Sequence, residues 1–232
     1  MENMPPSIPE NLEKVRLRIT QFEQKYGRPE GDVSLIAVSK THGPEMVRDA
    51  WNAGQKAFGE NYLQEALAKQ EALADLDINW HFIGPIQSNK TRAIAEHFHW
   101  VHSVDRLKIA RRLDELRPAS LPALNILLQV NISAEESKSG VSIDELDVLA
   151  EAIALLPRLV LAGLMAIPAP MDDVAEQRQA FRRLREARDT LLAKGHDQCR
   201  HLSMGMSHDY ESAIAEGATM IRIGTHIFGL RE

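Results

Sequence analysis

The sequence predicts an α/β protein of the (β/α)8, or TIM, barrel class, and three observations carry that expectation. About eight short apolar runs of strand length alternate with segments whose apolar residues recur at helical spacing. The runs are too apolar for strands with one face in water. At 232 residues the chain has the length of a one-domain barrel. An open doubly wound sheet is the competing architecture, but no GxGxxG follows the first strand, where a dinucleotide fold would carry it. No internal repeat, low-complexity segment or long linker divides the chain, so residues 1–232 are expected to form a single domain.

Taken in order, a short Pro-containing arm leads to Ser7-Ile-Pro-Glu10, which has the form of a capping box. Leu12, Val15, Ile19, Phe22 and Tyr26 then recur at helical spacing, and Gly27 ends the helix. This extra N-terminal helix precedes the barrel and is expected to cover its N-terminal end. Residues 34–40 form the first strand, 44–53 a helix stopped at Gly54, 57–61 the second strand, 62–73 a helix and 80–84 the third strand. A helix over about 89–97, a strand at 100–105, a basic amphipathic helix at 106–116 and a strand at 125–131 follow. Ser142-Ile-Asp-Glu145 is a second capping box, opening a helix to about Leu155, and the strand at 159–167 is closed by Pro168 and Pro170. The long charged helix at 175–193 keeps Phe181, Leu184, Ala187 and Leu191 on one face. A strand at 201–206, a helix at 208–216 and a strand at 220–224 complete the alternation.

Composition excludes several classes. A formal charge of -6, a pI near 5.9 and the absence of a Lys/Arg run argue against a nucleic-acid or acidic-membrane partner. Cys199 stands alone, so no intrachain disulfide or CxxC motif exists, as suits a reducing cytoplasm. The first residues lack the basic and apolar regions of a leader, and no apolar run reaches bilayer length. A soluble cytoplasmic protein is expected.

Chemistry is concentrated at the predicted strand ends. Leu35-Ile-Ala-Val-Ser-Lys40 delivers one amine out of an apolar run to the face where barrels bind their ligands. Burial favours the neutral amine, which attacks carbonyls, so Lys40 is a candidate Schiff-base lysine; the alternative is a basic residue that merely terminates the strand. Ser203-Met-Gly-Met-Ser207 and Arg222-Ile-Gly-Thr225 end the last two strands, and their small residues and hydroxyls would make a phosphate cradle, or serve as a cap at Ser207 and a turn at Gly224. Arg222 interrupts an apolar strand, so it must be paired with a carboxylate or used on a ligand, such as a ring nitrogen. His97, His99 and His102 surround the start of the fourth strand, away from the other candidates, which disfavours a metal site. Glu60 and Asp105 have no sequence feature that joins them as an acid/base pair, and Met165, Met204 and Met206 read as packing near a pocket.

Over nearly its whole length the chain resembles the pyridoxal-phosphate homeostasis proteins, the YggS/PROSC family. The match is carried by Trp80-His-Phe-Ile-Gly-Pro-Ile-Gln-Ser-Asn-Lys90, Ala37-Val-Ser-Lys40, Phe58-Gly-Glu-Asn61, Gly163-Leu-Met165, Leu202-Ser-Met-Gly-Met-Ser207 and Arg222-Ile-Gly-Thr225. The resemblance implies a fold-type III barrel similar to the N-terminal domain of alanine racemase. It implies pyridoxal 5'-phosphate held as a Schiff base on Lys40, with Arg222 facing the pyridine nitrogen. Ser203, Ser207, Gly224 and Thr225 would surround the phosphate, and Asn61 would stand near the ring or its hydroxyl. The implied role is vitamin B6 homeostasis by storage or delivery, with effects on amino-acid metabolism and no established catalytic activity. Apo forms of pyridoxal-phosphate enzymes are candidate receivers, and a monomer is expected. A one-domain racemase or lyase using the same lysine is the alternative; two-base racemisation is disfavoured because the chain stops at Glu232, without a second domain to supply an opposing base. A cofactor-free aldolase acting on a sugar phosphate is the third reading, and colour separates it from the other two.

Overall fold

In the computed structural model, which describes residues 7–133 and 139–229, eight strands close on themselves in sequence order. They are β1 (Ser34–Val38), β2 (Ala57–Glu60), β3 (Asn79–Phe82), β4 (Trp100–Val104), β5 (Leu124–Gln129), β6 (Leu159–Met165), β7 (His201–Ser203) and β8 (Met220–Ile223). Every neighbouring pair is parallel, and the barrel is sealed by the register Ser34↔Met220 to Ala37↔Ile223 between β1 and β8. The expected (β/α)8 class is the observed one. All C-terminal strand ends therefore open at one mouth. The Pro-containing arm at 1–6 and the terminal Glu232 lie outside the described residues.

The helices are α1 (Ile8–Lys25), α2 (Pro44–Asn52), α3 (Leu63–Ala72), α4 (Thr91–His97), α5 (Leu107–Leu116), α6 (Leu146–Ala154), α7 (Val174–Ala193), α8 (Tyr210–Ala215) and the single turn α9 (Thr225–Phe228). Both predicted capping boxes form, at Ser7 with Glu10 and at Ser142 with Glu145. Between helices and sheet lies the main core, to which Phe58, Ile94, Leu113, Phe181 and Leu184 contribute fully buried side chains. A second, smaller cluster of Ile36, Leu127, Ala162, Met165 and Met220 fills the barrel itself. Alternation along each strand sends one set of residues to each core.

Helix α1 does not cover the N-terminal end of the barrel, contrary to the expectation. It packs against α2, α8 and α9 in the outer ring. Asn11 donates to Ile227 O at 3.0 Å, Lys25 Nζ and Tyr26 Oη both donate to Glu211, and Glu23 accepts the Val33 N–H at 2.8 Å at the start of β1. The physical reason is the length of α9. One turn cannot shield the flank of β8 and β1, so the apolar stripe of α1 takes the place that a full eighth helix would fill. Between α7 and α8, the buried Glu216 gathers Arg178, Arg182 and Arg185 within 3.1 Å and ties that part of the ring together.

Several strands end earlier than the sequence suggests: β1 stops at Val38, β5 at Gln129 and β7 at Ser203. Single backbone bonds continue past those points, Ser39 N–H to Gly59 O and Met204 N–H to Met220 O among them. The chain leaves the ladder one or two residues short of the mouth, where the strands diverge. Gly163, inside β6, lets the backbone of β7 come close: a Cβ there would lie 2.0 Å from His201 O. Gly163→Ala must push the two strands apart and should cost at least about 1–3 kcal/mol, read as a lowered urea midpoint; an unchanged midpoint would show that β7 is free to shift.

Candidate functional site

A cavity opens at the C-terminal mouth, and its wall includes Lys40, Asn61, Ser207, Arg222, Gly224 and Thr225. Each stands at or just past the end of β1, β2, β7 or β8, so barrel closure alone brings together residues separated by up to 185 positions. Val38, His42, Ile83, Ile167, Met206 and His208 complete much of the lining. His42 is stacked on Phe228 with ring centroids 5.1 Å apart, which fixes it on the rim beside Lys40. The Gly224 backbone runs so close to β1 that a Cβ would meet Val38 O at 3.0 Å. Helix α9 begins at Thr225, a lining residue, and the first N–H groups of a helix have no acceptor within it.

Arg222 is the floor of the cavity and is 4% exposed. Its Nη1 donates to Ser203 Oγ at 2.7 Å and its Nη2 to Ala166 O at 3.1 Å. No ion pair to it is found among the described residues. Burial pushes its pKa down to about 10, with the Asp209 charge working the other way, so it remains a cation at neutral pH. The bland expectation of a carboxylate partner is therefore not met. Asn61 contributes an unmet polar atom to the same wall, since its Oδ1 is buried without a hydrogen-bond partner among the described residues.

Ser203 sits one layer below the cavity wall rather than in it. Its Oγ is fully buried between Arg222 and His102 Nδ1, the latter at 2.8 Å, and His102 Nε2 meets His81 Nδ1 at 2.9 Å. His81 in turn stacks on Trp100 with an interplanar angle of 7°. The expectation that His102 lies away from the other candidates is thus corrected: it is a buried support for the hydroxyl that orients Arg222. His97 and His99 are exposed and face elsewhere, His99 Nδ1 accepting the Trp80 N–H. Among the described residues no group of three His, Cys, Asp or Glu is placed to hold a metal ion. Ser207 is not the cap of α8, as expected from the sequence. Asp209 occupies that position, and its Oδ1 accepts the Met206 N–H at 2.7 Å, closing a turn that delays the helix. Glu60 and Asp105 do not meet; Glu60 pairs with Lys69 and Asp105 with Arg106.

Residues 11–232 match the alanine racemase N-terminal domain family. A pyridoxal phosphate homeostasis protein of Pseudomonas aeruginosa is 60% identical over 226 residues, covering 97% of this chain and 96% of that protein. Its namesake in Escherichia coli K12 is 50% identical over 228 residues and 97% of each chain. The chain belongs to the pyridoxal phosphate homeostasis protein family. Among solved structures similar to this family member is PipY of Synechococcus elongatus PCC7942 with pyridoxal phosphate bound, at a TM-score of 0.84 and 38% identity, covering 96% of this chain and 100% of that one. No helix among the described residues is long and apolar enough to cross a membrane.

Sequence reasoning missed the His81–His102–Ser203 support, though a signal was present. Each histidine interrupts an apolar strand, as Arg222 does, and such a residue must find a partner inside. Burial holds both rings neutral: His81 is pushed down to about 3, chiefly by desolvation with His99 and His201 adding, and His102 lies well below its ordinary value, again by desolvation first. A histidine whose folded pKa lies below its unfolded one contributes full stability above the unfolded value of 6.5, and loses it as pH falls toward the folded value. Unfolding free energy should thus decline below pH 6.5 by up to about 1.4 kcal/mol per pH unit for each ring. Urea unfolding at several pH values should give a shallower decline for His81→Phe than for the unaltered protein; identical slopes would contradict it.

Proposed function

We propose that this protein binds pyridoxal 5'-phosphate at the mouth of its barrel and serves intracellular vitamin B6 homeostasis by holding the cofactor and giving it up. The observation that carries the reading is Arg222, a buried cation on the cavity floor, aimed by Ser203 Oγ and Ala166 O, with no carboxylate paired to it among the described residues. It asks for an acceptor from a ligand. The other donors suit the remaining parts of the same molecule. The Lys40 amine is the attachment point for the aldehyde; Ser207, Gly224 and Thr225 offer hydroxyls and close-approaching backbone to the phosphate; and the Asn61 side chain, with its unpartnered Oδ1, stands for the ring hydroxyl. Ser203 acts beneath them, through Arg222. The family relationship and the PipY complex support the same reading.

Bound pyridoxal phosphate supplies an electrophilic aldehyde and, when its ring nitrogen is protonated, an electron sink. Arg222 withholds that second property, because a guanidinium donates and does not surrender its proton at neutral pH. The chain therefore favours retention of the cofactor over carbanion chemistry. Residues 1–232 act in this reading as one cytoplasmic, monomeric binding unit, with apo enzymes that need the same cofactor as receivers.

Purified protein should show a visible absorption band with pyridoxal phosphate, and borohydride should fix the label on Lys40, which mass mapping locates. Lys40→Ala should lose the band. A wild type that takes up no pyridoxal phosphate would overturn the reading, whereas racemisation of an added amino acid would favour the enzyme. Arg222→Met removes a charge-assisted hydrogen bond of about 1.5–3 kcal/mol, so cofactor affinity should fall roughly 10- to 150-fold in equilibrium dialysis.

A further inference from the structure

Lys40 is flanked by two residues outside the cavity lining, and both are linked to one buried cation, Ser39 directly and Thr41 through Glu65. Lys69, on α3, is 3% exposed. Its Nζ lies 2.6 Å from Ser39 O, 2.7 Å from Glu60 Oε1 and 2.6 Å from Glu65 Oε1, which uses all three of its N–H bonds. Ser39 Oγ donates to the same Glu60 oxygen at 2.6 Å, and Glu65 Oε1 also accepts the Thr41 N–H at 2.5 Å. The backbone before Lys40 and the backbone after it thus converge on a single ammonium. None of Ser39, Thr41, Glu60, Glu65 and Lys69 lines the cavity.

Thr41 is where this fastening has a visible effect. Its φ is +68°, and it is the one non-glycine residue with positive φ among the described residues. A β-branched side chain adopts that left-handed conformation only when its surroundings impose it. The Glu65 carboxylate on its N–H is such an imposition, and the His42 N–H to Ser39 O bond at 3.1 Å closes the resulting turn. The reversal of the chain after Lys40 leaves the lysine at its apex, on the cavity side. A long flexible amine is useful for capture only if its stem starts from a fixed point, since a displacement of about 1 Å can cost a hundredfold in rate.

We infer that Glu65 and Lys69 are positioning residues for the Lys40 amine: through Ser39 and Thr41 they hold the left-handed turn that presents Lys40 to the cavity. This rests on the reading of Lys40 as the point of cofactor attachment. Glu65 is the better probe, because its side chain is 29% exposed and alanine suits the first turn of α3. Glycine at 41 accepts positive φ without help, so it should remove the need for Glu65.

The test compares Glu65→Ala, Glu65→Gln, Thr41→Gly and the Glu65→Ala/Thr41→Gly pair. One readout is the stopped-flow rate of pyridoxal phosphate capture. The other needs no cofactor: the rate of reductive methylation of Lys40 by formaldehyde relative to the exposed Lys56, mapped by mass spectrometry, with melting temperature measured alongside. Glu65→Ala should slow both rates about tenfold at a nearly unchanged melting temperature, and Glu65→Gln, which keeps an oxygen for Thr41, should restore most of the loss. In the Thr41→Gly background the Glu65→Ala effect should shrink to roughly twofold or less. Equal effects of Glu65→Ala in the two backgrounds, or none in either, would overturn the inference. A wild type that binds no pyridoxal phosphate would sink the functional reading instead, and the methylation ratio would still decide whether the Glu65 contact to Thr41 positions Lys40.

Discussion

A positive charge has been carried to the inside of this barrel, and among the described residues no carboxylate forms an ion pair with it, Asp209 acting on it only from a distance. Desolvating an ion costs several kcal/mol even after relaxation, and Arg222 recovers part of that through Ser203 Oγ and Ala166 O. Much of the interior is arranged to make those contacts available. Ser203 must be oriented, so His102 lies against it; His102 must be satisfied, so His81 lies against His102; and His81 is stacked on Trp100 at the lower end of the barrel. Burial keeps both imidazoles neutral, which avoids placing a second cation beside the first. The result is a polar column within an otherwise apolar barrel, ending at a guanidinium that faces the cavity.

A second polar assembly stands outside the barrel wall and serves the opposite side of the site. The cluster of Lys69, Glu60, Glu65 and Ser39 is largely buried, and desolvation raises the Glu60 pKa against the pull of Lys69. The two assemblies differ in kind. Around Lys69 the cation is paired with carboxylates within the protein, whereas Arg222 is held by the neutral acceptors Ser203 Oγ and Ala166 O.

Part of this is legible in the amino-acid sequence. The alternation of strand and helix, both capping boxes and the convergence of Lys40, Asn61, Arg222, Gly224 and Thr225 follow from local patterns, because strand ends in a parallel barrel share one face whatever the details. Other features were out of reach. The stripe on α1 says that a face is buried but not against what, and the shortness of α9 that creates its berth is visible only once β8 is placed. The cap of α8 moved from Ser207 to Asp209 because the Asp209 side chain turns back to Met206, a choice between two eligible residues that spacing does not make.

By itself, then, the sequence determined the class of barrel, the order of its strands and which unusual side chains arrive at the mouth, since periodicity and interrupted apolar runs are written along the chain. Only the tertiary structure decided which of those side chains face ligand and which face one another. Ser203 and His102 come from β7 and β4, 101 residues apart, and meet inside the barrel because closure turns strands three places apart around the ring toward one another; Thr41 enters the left-handed region where a carboxylate from α3 reaches its N–H. Contacts of that kind depend on distances through space, which no local pattern contains.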